Sequence, residues 1–346
     1  MATEPATEFT LEGPAAFEEE AKRERAVGVG PWRLALRRLR RNKTALAFGA
    51  LFIVLVGLCL LAPVWAHQIA HTGPNDNHLT STVKVGGKVK DVVKPNGVPI
   101  GPTWHGRFFL GADDNGRDVA VRLLYGGRAS LEIGVLASLI TAFLSVIVGL
   151  LTGYLRGWVD AILARLLDLI WAFPVILLGV ALGTALNLGG LHVGPISISG
   201  NSRLIPVLII AVVYVPYMAR PIRGQVLSLR EKEFVEAARA QGAGPLRIML
   251  SEILPNVGST IVVFFPLMVA NAILLEAALG FLGVGVQQPN PSWGNMIGYG
   301  VERIVTGPHL TIIPGLMLVL TVLSLNVFGD GLRDALDPRA RIRLEH

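Results

Sequence analysis

Cysteine is nearly absent. Cys59 is the only one in 346 residues, so a single chain holds neither a disulfide nor a thiolate metal cage. Charge is scarce too: Asp, Glu, Lys and Arg make up 16% of the chain, against about 25% in a typical soluble domain. With 52% hydrophobic residues and a mean hydropathy of +0.54, that shortage excludes an ordinary soluble enzyme, a disordered tail and a secreted disulfide scaffold. No phosphate-binding loop is present, because Gly87-Lys88 is the only Gly-Lys pair and Val89 follows where Ser or Thr is required. A metalloprotease helix is missing as well, since only Gln68, Ile69 and Ala70 separate His67 from His71, with no glutamate. His78 nearby makes a three-histidine metal site conceivable. Polar residues at the interfacial end of a loop are the simpler reading, and no metal site is expected.

What the chain does have is apolar length. Six runs are long or apolar enough to be read as membrane spans: about Thr44–Ala66, Ser130–Tyr154, Ala161–Leu186, Leu204–Met218, Val257–Gly280 and Leu310–Phe328. The fold class expected is therefore all-α, a polytopic bundle of six transmembrane helices. Pro174, Pro206, Pro216, Pro266 and Pro314 interrupt these runs, and backbone groups freed at such kinks must be met by neighbouring helices, which favours a packed bundle. The first run follows a polar lead and exceeds the apolar core of a signal peptide, so it reads as an uncleaved anchor.

The net charge of +6, in so apolar a chain, points to anionic membrane lipids and orientation signals, with no nucleic-acid partner expected. With the N-terminus placed in the cytoplasm, the inner segments carry Arg33, Arg37, Arg38, Arg40, Arg41 and Lys43, then Arg156. They also carry Arg220, Arg223, Arg230, Lys232, Arg239 and Arg247, and four more basic residues over 333–343. The two short outer loops carry only Arg203 and Arg303. That bias puts both termini inside. The chain then divides into a polar cytoplasmic segment 1–30, a basic lead and first span 31–66, an extracytoplasmic segment 67–129, a five-helix core 130–330 and a cytoplasmic tail 331–346. Around Gly86-Gly87 the alternation of Thr82–Val85 and Lys88–Lys90 predicts a β-hairpin. As the one large outer element, segment 67–129 is expected to contact a partner protein.

Ionisable residues inside spans are costly, about 2.5–3.5 kcal/mol each at a helix centre. Arg165 and Asp168 stand three apart and are expected to pair locally, whereas Glu276 is open between a gate or pathway role and packing. Asp168, Glu276 and Phe281 are the candidate pathway or gate residues. Between spans four and five, Val226–Gln241 has helix formers, Gly242-Ala243-Gly244-Pro245 breaks it, and Leu246–Ile253 resumes before Pro255. Two short helices at a glycine turn make a cytoplasmic knob, coupling loop 223–255, suited to receive force from a separate motor.

Glu236-Ala237-Ala238, Gly242 and then Ile253-Leu254-Pro255-Asn256 resemble the EAA loop of ABC-importer permeases. Three further segments agree: Leu110–Asp118 (LGADDNGRD), Leu167–Pro174 (LDLIWAFP), and Glu276–Gly285 (EAALGFLGVG) with Pro289–Gly294. Together they are similar to the dipeptide/oligopeptide/nickel permease family, on the side of its C-type subunit, with Gly280 standing where that family usually has serine. The resemblance implies coupling to an ATPase through Glu236, Ala237, Ala238, Gly242, Ile253, Leu254 and Pro255. It implies a second homologous permease, two ATP-binding subunits that hold ATP and Mg, an extracytoplasmic substrate-binding protein, and no catalytic residue or cofactor in this chain. It also implies a bacterial inner (plasma) membrane location and peptide cargo, with nickel, glutathione-like or haem-type ligands as alternatives. From another class, an ion-coupled secondary transporter or channel using Asp168 or Glu276 is the rival reading. No role is assigned to Leu344-Glu345-His346.

Overall fold

The computed structural model describes residues 31–336; segment 1–30, Arg339, Arg341, Arg343 and Leu344-Glu345-His346 lie outside the described residues. The fold is the expected helical bundle. A basic helix α1 (Pro31–Arg41) leads into α2 (Lys43–Leu60), which starts where the Asn42 side chain accepts a hydrogen bond from the Ala45 amide at 3.0 Å. One helical turn at Ala62–Val64 and a π-helical turn at Trp65–Ala70 extend this first span. Its exposed face holds Ile53, Val54, Leu58 and Leu60, an apolar stripe suited to lipid.

The predicted hairpin is present. β1 (Thr82–Val85) pairs antiparallel with β2 (Lys88–Asp91), Val83 opposite Lys90 and Val85 opposite Lys88. A second small hairpin, β3 (Leu191–Val193) with β4 (Ile196–Ile198), was hidden in the sequence by the apolar runs on either side.

The second span begins earlier than hydropathy implies. Helix α3 runs Val119–Leu155, eleven residues before Ser130, because Asp118 caps it: its Oδ1 accepts from Ala120 N (2.9 Å) and Val121 N (3.1 Å). The added turns contain Arg122, Tyr125, Gly126 and Gly127 and so escape an apolar-run count. The third span is not one helix over Ala161–Leu186. It is α4 (Trp158–Trp171) and α5 (Val175–Gly189), bent by 91° at the break before Pro174, whose ring cannot continue the helix and disfavours helical backbone at Phe173. The fourth span, short in the sequence, extends through α6 (Leu204–Val213) and α7 (Val215–Leu229). At their junction beside Pro216, Thr141 Oγ1 donates to Ala211 O and Ser145 Oγ to Val215 O, each at 3.1 Å. The neighbouring helix thus bonds backbone carbonyls on either side of the junction.

After α8 (Glu233–Ala240), the fifth span builds from Pro245 through a π-helical turn, Ile248–Ile253, into α9 (Leu254–Phe281). A short α10 (Trp293–Val301) packs at the Asp118 end of α3, and α11 (His309–Leu336) runs back along the bundle. Among the described residues, five helices are long and apolar enough to cross a membrane, six if the bent α4–α5 pair is counted as one broken span.

Helix α3 is the axis of this bundle. A Cβ on Gly134 would lie 2.4 Å from Ile273 of α9, and one on Gly149 would lie 2.5 Å from Ile222 of α7. Small residues therefore set the helix separations. Replacing Gly134 with Val is expected to lower stability by about 1–3 kcal/mol through overpacking. Thermal unfolding of the purified chain in detergent would read this as a reduced midpoint, restored in part by Ile273→Ala.

Candidate coupling surface and buried carboxylate

The knob is built as two helical arms around a turn. In α8, Val235 is fully buried and packs with Ile248, Met249 and Ile253, fixing which face of the helix looks outward. Glu236 and Ala237 are exposed on that outer face, and Ala238 is partly buried. The turn follows from backbone bonds: Gly242 N donates to Arg239 O at 2.9 Å and Ala243 N to Ala238 O at 3.0 Å. Gly242 has φ +81°, while a Cβ there would meet nothing within 4 Å. Its requirement for glycine is thus left-handed backbone and not crowding within this chain.

Of the candidate coupling residues, Glu236, Ala237, Gly242 and Pro255 are exposed, and Leu254 is partly buried. Ile253 differs from expectation. Its side chain is fully buried among Met218, Ile222 and Val257, so it braces the knob from within and presents nothing to a partner. Residues overlooked in the sequence take its place: Leu246 is 66% and Leu250 50% exposed, with Phe234 at 39%. Their signal was available as large apolar side chains in an otherwise charged loop.

The knob is tied to the bundle. Buried Arg230 donates to Gly153 O (3.2 Å) and Tyr154 O (3.3 Å) at the end of α3. Arg156 pairs with Glu231 at 3.1 Å, and the Arg239 guanidinium sits 5.5 Å from the Tyr154 ring centroid. Arg239 thus joins α8 to α3, and Arg230 and Glu231 join the end of α7 to the end of α3.

The intramembrane candidates resolve differently. Asp168 is not mainly paired with Arg165, which stands 3.7 Å away; its near partner is Arg220 on α7 at 2.8 Å. Two turns earlier, Asp160 takes Arg223 in a two-pronged pair at 2.8 and 2.9 Å. Both carboxylates therefore fasten α4 to α7, a contact between helices that spacing along one helix cannot reveal. Phe281 is 47% exposed at the outer end of α9.

Glu276 is enclosed within the bundle. Its side chain is fully buried and accepts a hydrogen bond from Ser130 Oγ at 2.7 Å. Ser130 Oγ in turn accepts from the Trp293 amide at 3.1 Å, and Trp293 Nε1 donates to Leu123 O at 3.1 Å. The carboxyl thus sits in a packing node between α9, α3 and the start of α10. Ser292 and Asn295 close a capping box at that start. Gly280 belongs to the same contact: a Cβ there would lie 3.0 Å from Asn295 N, so a side chain would require the α10 backbone to give by a few tenths of an ångström.

The LGADDNGRD motif organises the outer end. Asp113 accepts from Arg117 Nε at 2.7 Å and from the amides of Asn115 and Arg117. Arg122 Nη1 donates to Pro74 O (2.8 Å) and Pro289 O (3.3 Å), joining the outer segment to the loop before α10. Asp118 also accepts from Phe108 N at 2.6 Å; burial pushes its carboxyl up, against amide donors that pull it down. Partial burial and the Arg107 guanidinium hold His78 below its ordinary value. His78 contacts Thr72 Oγ1 and Arg107 Nη2 at 2.7 and 2.6 Å, and no group of three potential metal ligands occurs among the described residues.

A multi-spanning bundle with a braced helical knob at one end and a structured cap at the other is the body of a membrane transport permease. Residues 145–342 match the family described as binding-protein-dependent transport system inner membrane component, and residues 30–80 match the N-terminal TM domain of oligopeptide transport permease C. The chain is 36% identical to the dipeptide transport system permease protein DppC of Alkalihalophilus pseudofirmus, over 90% of this chain and 91% of that one. It is 35% identical to the glutathione transport system permease protein GsiD of Pectobacterium atrosepticum, over 90% and 92%. A solved inward-facing structure of the MetNI methionine ABC transporter shares the fold, with a TM-score of 0.51 and 20% identity over 62% of this chain and 96% of that one. The chain belongs to the binding-protein-dependent transport system inner membrane component family.

Ser130→Ala removes the hydroxyl shared by Glu276 and the Trp293 amide, leaving two buried polar groups short of a partner at a cost of about 1–3 kcal/mol each. The expected outcome is a lowered unfolding midpoint with membrane insertion retained. An unchanged midpoint would remove the node from the account of stability.

Proposed function

We propose that this chain is one permease subunit of an ATP-driven importer that moves di- or oligopeptides handed over by an extracytoplasmic binding protein. It acts beside a second homologous permease and two ATP-binding subunits, which bind ATP and Mg. This chain carries no catalytic residue or cofactor. Both of its termini face the cytoplasm, in a bacterial inner membrane.

The observation that carries the reading is the knob: exposed Glu236, Ala237, Leu246 and Leu250 on a helical pair braced by Val235 and Ile253 and fastened to α3 by Arg230. An apolar crown at the end of a spanning bundle needs a protein partner. When the ATPase subunits close, a rigid knob conveys their displacement to α3 and α7, and the α4–α5 pair follows through Asp168–Arg220 and Asp160–Arg223. The likeness to dipeptide and glutathione permeases supports peptide cargo. Against an ion-coupled carrier, Asp168 is held by Arg220 and Glu276 by Ser130 in contacts between helices.

Gly242→Val forces a β-branched residue into left-handed backbone, and Glu236→Ala trims the exposed face. The first is expected to abolish ATP-driven peptide uptake in liposomes and loosen ATPase copurification, the second to reduce both less severely, with insertion intact. Normal uptake by both variants would take the knob out of the mechanism, and uptake driven by an ion gradient without ATP would sink the importer reading. For orientation, reporters fused after Gly200 and after Gly242, which α6 and α7 separate, are expected on opposite sides, outer and cytoplasmic respectively.

A further inference from the structure

The outer cap carries a surface that neither the bundle nor the knob uses. Along the β1–β2 hairpin and the turn after it, Lys84, Lys88, Lys90 and Lys94 are all exposed, and Asp91 is the one acidic residue between positions 82 and 98. None of these lysines makes an ion pair among the described residues. Strand pairing places Lys88 and Lys90 on one face of the sheet and Lys84 on the other, beside Val89, which is 62% exposed. An open groove of about 530 Å³ runs between β2 and the following turn, lined by Val89, Lys90, Lys94 and Ile100 among others.

This surface is rigidly mounted. Val83 packs with Val92, Phe108 and Ala112 in a small core beneath the hairpin. A chain of backbone bonds runs inward: Val92 N to Ser81 O (2.9 Å), Ile100 N to Val92 O (2.8 Å) and Ala112 N to Ile100 O (3.0 Å). Asp118 then joins Phe108 to the first turn of α3. A load on the lysines therefore reaches the central helix without crossing a slack loop.

We propose that the lysine-bearing hairpin is the docking surface for an acidic face of the extracytoplasmic binding protein. The inference rests on the importer reading above and commits it to one element and one chemistry. Four exposed cations without ion pairs, of which Lys90 and Lys94 line the groove beside Asp91, complement carboxylates and speed encounter through long-range attraction. A lipid surface fits less well. Elements that lie in a bilayer interface carry a broad apolar face, whereas this thin sheet has lysines on both sides and Val89 as its one large apolar side chain in the exposed class.

The test uses the full transporter in nanodiscs of neutral lipid and the binding protein that copurifies with it. Docking affinity would be measured between low and high salt for the wild type, for the variant Lys84→Glu, Lys88→Glu, Lys90→Glu, Lys94→Glu, and for the matching Gln variant. Wild-type docking is expected to weaken with salt. At low salt the Glu variant should lose about tenfold or more and the Gln variant less, with basal ATPase activity unchanged. Equal affinity for all three forms would overturn the proposal while leaving the importer reading in place. If anionic phosphatidylglycerol vesicles bind through these lysines while docking is unaffected, the partner is lipid and the proposal also falls. If the wild type neither binds the copurified protein nor has its ATPase stimulated by it, the importer reading fails and takes the inference with it.

Discussion

The close approach of α3 to α7 and α9 is the constraint on which the rest of the structure depends. Helices in a bilayer gain little from hiding apolar surface from one another, so association rests on shape and on a few polar contacts. Gly134 and Gly149 let Ile273 and Ile222 come within reach of the α3 backbone, and Thr141 and Ser145 on the same helix bond carbonyls at the α6–α7 junction. Larger residues at those glycines would push α7 and α9 outward. The bonds from Thr141 and Ser145 would then lengthen, and the carbonyls beside Pro216 would lose their partners.

Because α3 is continuous from Val119 to Leu155, its two ends share one rigid body. At the outer end Asp118 caps it and holds the cap through Phe108, while Arg122 ties it to Pro74 and Pro289. At the inner end Gly153 and Tyr154 offer carbonyls to Arg230, which anchors the knob. Buried polar contacts of this sort are directional and lose much of their value when one partner moves. A helix clamped that way at both ends suits a permease, in which events on one face must be felt on the other. The two halves of the bent pair are fastened differently: α4 by two ion pairs to α7, and α5 by apolar packing against α6 and α9.

Glu276 shows how a costly residue is accommodated. A buried carboxyl without partners is unfavourable, and here Ser130 donates to one oxygen while the other, Oε1, has no hydrogen-bond partner, with Trp293 filling the space beside them. The node holds α10 against the outer end of α3 and α9. Gly280 permits the same approach from the other side, so two departures from ordinary helix composition serve a single contact.

By itself the sequence determined that the chain is a helical membrane bundle, that a glycine turn divides a helical pair, and that a Gly-Gly turn makes a hairpin. Each of these rests on local physics: apolar length against bilayer thickness, the conformational freedom of glycine, and alternation along a strand. Only the tertiary structure decided how far each span extends, because α3 gains its first turns from a cap and from burial of Arg122, which apolar counting cannot see. It also decided that Asp168 reaches Arg220, that Ile253 braces the knob from inside while Leu246 and Leu250 crown it, and that Glu276 packs against Ser130. Those outcomes depend on which face of one helix meets which face of another. Two residues far apart in the chain acquire that relation only when the helices are set side by side.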